Sequence, residues 1–73
     1  MTMFTMNGVV MRVSAKRFVL AHFQKSKCSE FVIYYKNLDE KLLGHFVSVS
    51  GNLEVYKKRI FLFAKEVIDC GVR

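Results

Sequence analysis

Residues 51–71 read GNLEVYKKRIFLFAKEVIDCG, and this stretch decides which fold the sequence predicts. Asn52 is a good helix N-cap, because its short side chain can accept hydrogen bonds from the free backbone N–H groups of a first turn. Gly71 is the residue type preferred at the left-handed position that follows a helix. No glycine or proline stands between them. The stretch therefore predicts a C-terminal helix over residues 53–70.

The predicted helix has one broad apolar side and one charged side when its residues are placed about 100° apart. Two apolar residues, Val55 and Leu62, fall on the charged side, where Lys58, Arg59 and Lys65 surround them. One interpretation is a small secondary interface for a partner or a second copy. The other is two scattered surface hydrophobes, which are normal in soluble proteins.

The first half of the chain contains a hairpin signal and an ambiguous segment. Asn7-Gly8 favours a two-residue type I′ turn, because both central positions need a positive φ. It predicts an N-terminal hairpin over residues 2–13. Residues 15–25 fit a second helix capped by Ser14, although a strand buried on both faces is the alternative.

Two strands are predicted in the middle of the chain. Residues 30–36 are rich in β-branched and aromatic side chains, and residues 45–50 alternate between apolar and polar ones. Their short connection predicts antiparallel pairing. The predicted fold class is therefore α+β: one domain over residues 1–73, with an antiparallel sheet of three or four strands packed by the C-terminal helix.

Composition supports a folded core. The 73 residues are 52% hydrophobic, with seven Phe and three Tyr, whereas disordered chains have low hydrophobicity. This apolar content also makes a homo-oligomer an expected alternative to a monomer. No stretch approaches the roughly 20 apolar residues of a membrane span, and no secretory signal is seen. We expect a cytoplasmic protein that does not bind membranes, with Cys28 and Cys70 reduced or, alternatively, bridged to each other.

Positive charge is concentrated in the first part of the chain. The formal net charge is +6, and residues 1–29 contain five bases and no acid. A basic segment attracts polyanions such as nucleic acid or an acidic protein surface. The predicted contact residues are these five bases: Arg12, Lys16, Arg17, Lys25 and Lys27.

Catalytic and cofactor motifs are not found. The soft metal ligands His22, Cys28, His45 and Cys70 lack the short pair spacings of zinc sites. No nucleophile elbow or glycine-rich phosphate loop is present. We therefore expect a protein that is not an enzyme and needs no metal or cofactor.

The predicted function is that of a small interaction protein, a regulator or inhibitor that binds an acidic surface of a macromolecular partner. The alternative is sequence-independent binding of RNA or DNA through a basic face at residues 12–27. Single-strand binding also needs exposed aromatic rings. Tyr34 and Tyr35 are consecutive on a predicted strand, so one of them should face away from the core if one side of the sheet is open.

Overall fold

Five β-strands account for most of residues 2–72, the residues that the computed structural model describes. They are β1 (Thr2–Val13), β2 (Arg17–Gln24), β3 (Lys27–Tyr34), β4 (His45–Tyr56) and β5 (Arg59–Val72). One turn of 3-10 helix, Glu40–Leu42, lies between β3 and β4. Within residues 2–72 no helix is long and apolar enough to span a membrane.

The strands close into a barrel in the order β1-β2-β3-β5-β4, with β4 pairing back onto β1. All neighbouring strands are antiparallel except β3 and β5. These two run parallel and pair over a short seam, Ile33 with Leu62 and Tyr34 with Phe63. This is the five-stranded Greek-key arrangement known as the OB-fold.

The core fills the inside of the barrel and follows the period of two that strands impose. Phe18 and Leu20 of β2 point inward, as do Val47 and Val49 of β4, and all four are fully buried. Burying a side chain of this size contributes about 1.5–3 kcal/mol. The rest of the buried cluster consists of Val10, Ile33, Leu38 and Leu62.

The predicted C-terminal helix is wrong, because residues 53–70 form the end of β4 and most of β5. A two-residue turn joins the strands at Lys57 and Lys58, whose φ angles are +49° and +65°. Tyr56 and Arg59 pair across this turn. Positive φ at both central positions is the geometry of a type I′ hairpin, which usually requires Asn and Gly. The flanking segments are rich in the β-branched and aromatic residues that favour strands.

The predicted N-terminal hairpin is also wrong, because β1 is a single strand that runs through Asn7 and Gly8. These two residues pair with Ser48 and Val47 of β4. Gly8 is needed for close approach rather than for a turn. A Cβ atom there would collide with the backbone of Ala21 in β2, lying 2.9 Å from its carbonyl carbon.

The fold is all-β rather than α+β. The segment 15–25, predicted as a helix, contains β2, so the alternative of a strand is the one observed. The predicted strand 30–36 overlaps β3 over residues 30–34, and the predicted strand 45–50 is the first half of β4, but the two do not pair with each other. β3 lies between β2 and β5, while β4 lies between β1 and β5.

Candidate nucleic-acid interface

An aromatic cluster, formed by Tyr34, Phe61 and Phe63, lies on the outside of the barrel at the seam between β3 and β5. Tyr34 pairs with Phe63 across the seam, and Phe61 is two residues earlier, on the same face of β5. The ring centroid of Tyr34 lies 5.5 Å from that of Phe63 and 5.9 Å from that of Phe61. Phe63 is 38% exposed, and the other two rings are partly buried. The cluster therefore presents ring surface to solvent.

A shallow groove of about 430 Å³ continues from this cluster and carries two lysines. Lys16 and Lys36 line it together with Tyr34 and Phe63. Lys16 follows β1, and Lys36 follows β3. The Tyr35 N–H brings the two segments together by donating to the carbonyl of Lys16 at 3.0 Å. None of the described residues that line this groove is acidic.

The five predicted contact residues do not form one face. Arg12, Lys16 and Arg17 lie at the hairpin end that joins β1 to β2, where Arg17 pairs with Tyr34. Lys25 and Lys27 lie at the other end of β2, roughly 20 Å away for a strand of eight residues. Only the first group is therefore near the aromatic cluster.

A second opening, the β3–β5 cleft, has a volume of about 480 Å³. It lies on the side of the aromatic cluster away from the groove. It adjoins the tip of the β4–β5 hairpin, residues 54–61, which we call the arm. The lining of the cleft is mainly apolar, and it includes Tyr34 and Phe61 of the cluster. Its charged residues are Glu30 of β3 and Arg59 of β5.

The predicted secondary interface is divided by the barrel. Val55, Lys58 and Arg59 belong to the arm, and all three are exposed. Lys65 is exposed further along β5, whereas Leu62 is only 7% exposed and belongs to the core. Leu62 is therefore unable to make the surface contact that a helix would have given it. Homo-oligomerisation stays a prediction.

The two histidines form small, separate contacts away from this surface. His45 Nδ1 lies 3.0 Å from Asp69 Oδ1, and the Gly71 N–H donates to the same oxygen at 2.8 Å. The hydrogen bond from His45 and then that from Gly71 lower the pKa of Asp69, against a smaller opposing effect of desolvation. His22 Nδ1 donates to the carbonyl of Asn7 at 2.7 Å.

Neither a metal cluster nor a disulfide is found in the described part of the chain. Cys28 and Cys70 are exposed free thiols on different strands. Residues 2–72 contain no group of three or more His, Cys, Asp or Glu side chains placed to hold a metal ion. The aromatic cluster and its flanking charges are thus the most distinctive chemistry on the surface.

Part of this surface follows from the sequence. Tyr34 faces outward and Tyr35 packs against the core, which confirms the expectation that one of the two faces away from it. Phe61 and Phe63 fall on the broad apolar side of the predicted helix, which would pack on the sheet, so sequence reasoning does not identify them as surface rings, and it does not identify Lys36 either. The signal for the two rings is the alternation Phe61-Leu62-Phe63, which places both on the face opposite Leu62.

The arrangement can hold a flat ring by stacking and a nearby anion by charge. A ligand that combines the two, with rings joined by anionic groups, fits it best. No family model matches the chain. No curated protein matches it either.

Proposed function

We propose that this protein binds single-stranded nucleic acid on the face formed by the aromatic cluster and the groove of Lys16 and Lys36. The supporting observation is the packing of Tyr34 against the exposed ring of Phe63, directly beside these two lysines. Stacking of a base on an aromatic side chain contributes about 1–3 kcal/mol. Lysines beside the rings can neutralise the phosphates that link successive bases.

Single strands fit this face better than duplexes do. Two of the rings, Tyr34 and Phe63, line a shallow groove on the outside of the barrel. They can stack only on base faces that neighbouring bases do not already cover. In a duplex the base faces are covered by neighbouring pairs, and only their edges are accessible. Barrels of this topology also serve as single-strand binding modules in unrelated proteins, which supports the proposal by analogy of fold.

The expected binding to an acidic protein surface stays a prediction. Charge alone would serve such a partner, and the five predicted bases lie in two groups at opposite ends of β2. The aromatic cluster favours nucleic acid, because bases offer flat faces on which its rings can stack, whereas carboxylates do not.

The proposal is tested by fluorescence anisotropy with labelled single-stranded DNA and RNA of mixed sequence. Tyr34→Ala or Phe63→Ala should weaken binding by about tenfold or more, from the loss of one stacked base. Tyr34→Phe keeps the ring and should preserve the affinity. The matched control is Phe23→Ala, because Phe23 is 52% exposed at the other end of β2.

Charge is tested by the salt dependence of the same binding. Lys16→Ala and Lys36→Ala should each weaken binding and reduce the slope of log K against log salt by about 0.7, the value for one single-strand phosphate. Lys27→Ala, at the far end of β2, should leave the slope unchanged. Absence of single-strand binding at low salt would refute the proposal, as would equal losses in Phe23→Ala and Tyr34→Ala.

A further inference from the structure

We infer that the β3–β5 cleft receives one base of the bound strand and selects guanine. This inference rests on the proposed function, because the cleft continues from the aromatic cluster on which the strand would lie. Tyr34 and Phe61 line the cleft and also belong to the cluster. A strand stacked on these rings therefore passes the opening of the cleft.

The cleft exists because the parallel seam is short. β3 and β5 pair only at Ile33 with Leu62 and at Tyr34 with Phe63, so the strands separate before these residues. The gap of about 480 Å³ is within the range of small-ligand clefts, about 300–1,000 Å³. Its walls include Phe31 and Ile60, while Phe4 and Leu53 reach it from inside the barrel. Apolar and aromatic walls of this kind suit a flat, unstacked base.

Glu30 and Arg59 supply the polar recognition. Glu30 comes from β3 and Arg59 from the first position of β5, and both side chains are exposed. They line the same cleft, yet no ion pair joins them in the described part of the chain. The carboxylate of Glu30 can accept two hydrogen bonds, and the guanidinium of Arg59 can donate two in parallel.

Guanine is the base that satisfies both groups fully. Its N1–H and its N2 amino group are adjacent donors that match the two oxygens of a carboxylate. Its O6 and N7 are adjacent acceptors that match a guanidinium, the commonest specific contact to a base. The other bases lack this combination of two adjacent donors with two adjacent acceptors. A role at a base edge also accounts for Glu30, since a carboxylate placed against phosphates would weaken binding.

The test uses an oligothymidine in which one central residue is replaced by guanine, adenine or cytosine. Guanine should raise the affinity by about tenfold over the unsubstituted strand, while adenine and cytosine should raise it much less. Inosine lacks the N2 amino group, so it probes the contact with Glu30. 7-Deazaguanine lacks N7, so it probes the contact with Arg59.

Each variant should remove one kind of discrimination. Glu30→Gln should abolish the preference for guanine over inosine, because a carboxamide cannot accept from both donors. Arg59→Ala should abolish the preference for guanine over 7-deazaguanine, because no donor then reaches N7. Glu66→Gln and Lys65→Ala are the matched controls on β5, since neither residue lines the cleft, and both should keep the full preference. Circular dichroism confirms that each variant is folded.

Two failures are distinguishable. If oligothymidine binds and the four bases at the central position give equal affinity, the guanine inference is overturned while the proposed function stands. If no single strand binds at all, both are overturned. Loss of the guanine preference in Glu66→Gln or Lys65→Ala to the same extent as in Glu30→Gln would also overturn the inference.

Discussion

Gly51 lies in β4 at a change of register, where it pairs with Ala64 of β5. A Cβ atom at this position would lie 2.8 Å from Ala64 Cα and 2.9 Å from Lys65 N, both of them backbone atoms. A backbone neighbour cannot rotate away as a flexible side chain can. Gly44 differs, because it has a φ of +83° and open space around it.

This contrast predicts different losses of stability for two alanine substitutions. Gly51→Ala should lower the free energy of unfolding by about 3 kcal/mol or more, because the barrel must open locally to admit the methyl group. Gly44→Ala should cost about 1–2 kcal/mol, the strain of a left-handed backbone alone. Urea unfolding followed by circular dichroism measures both, and equal losses would contradict the account of close approach.

At the scale of the element, the turn of the arm combines regular geometry with unsuitable residues. Lys57 and Lys58 both have positive φ, a conformation that costs a residue with a side chain about 1–2 kcal/mol. A compensating contact is small, because the ammonium of Lys57 lies 5.4 Å from the ring centre of Tyr56 at an exposed site, where such contacts contribute about 0.5–1 kcal/mol. The strain therefore exceeds the compensation.

The double variant Lys57→Asn with Lys58→Gly should therefore stabilise the protein by about 1 kcal/mol or more, since Asn-Gly is the preferred pair for this turn. Thermal unfolding measures the gain as a higher Tm. Lys57→Ala with Lys58→Ala removes the same charges without relieving the strain, so it should give no gain. A similar rise in Tm for both double variants would attribute the effect to charge.

The same turn explains why residues 53–70 predict a helix. Two lysines carry no turn signal, so the strands on either side appear as one uninterrupted segment. β5 is also apolar on both faces, with Leu62 inward and Phe61 and Phe63 outward, and this hides the alternation of a strand over most of its length. On a helical wheel, the apolar residues of both strands fall on one side, although in the structure some face the core and others face outward. The wheel therefore suggests an amphipathic helix that does not exist.

Strands with one apolar and one polar face can be predicted from the sequence, because their side chains alternate in polarity. In residues 47–50 apolar and polar side chains alternate strictly, and this segment lies near the start of β4. The outward position of Tyr34 follows from alternation in the same way. The pairing partners could not be predicted, because barrel closure joins residues far apart in sequence, such as Thr5 with Ser50. For the same reason, the proximity of Lys36 to Lys16 could not be predicted from the sequence.

At the scale of the whole molecule, the stability of the barrel should depend on pH through Asp69. The carboxylate of Asp69, in β5, accepts hydrogen bonds from His45 at the start of β4 and from the Gly71 N–H. These two hydrogen bonds lower the pKa of the carboxyl group. A carboxylate with a lowered pKa in the folded state stabilises that state above its unfolded pKa, which is about 3.9 for aspartate. The stabilisation is lost as the pH falls through the folded pKa.

Asp69→Asn should therefore be less stable than the native protein at neutral pH, and the difference in Tm should shrink below about pH 4. His45→Ala should weaken this pH dependence without abolishing it, because the Gly71 N–H still donates to Asp69. Thermal unfolding between pH 7 and pH 2 measures both effects. A constant difference in Tm across that range would contradict the role of Asp69.

The arm has one further consequence, which concerns aggregation. Beyond Leu53 and Leu62 its two strands pair only with each other among residues 2–72, so each leaves an open edge with free hydrogen-bonding groups. Such edges can join with those of another copy unless something keeps the molecules apart. Lys57, Lys58 and Arg59 place three positive charges at the tip, and like charges repel when two arms approach. The solubility of this protein at high concentration should therefore depend on the basic side chains at the tip of the arm, which contribute nothing to its core.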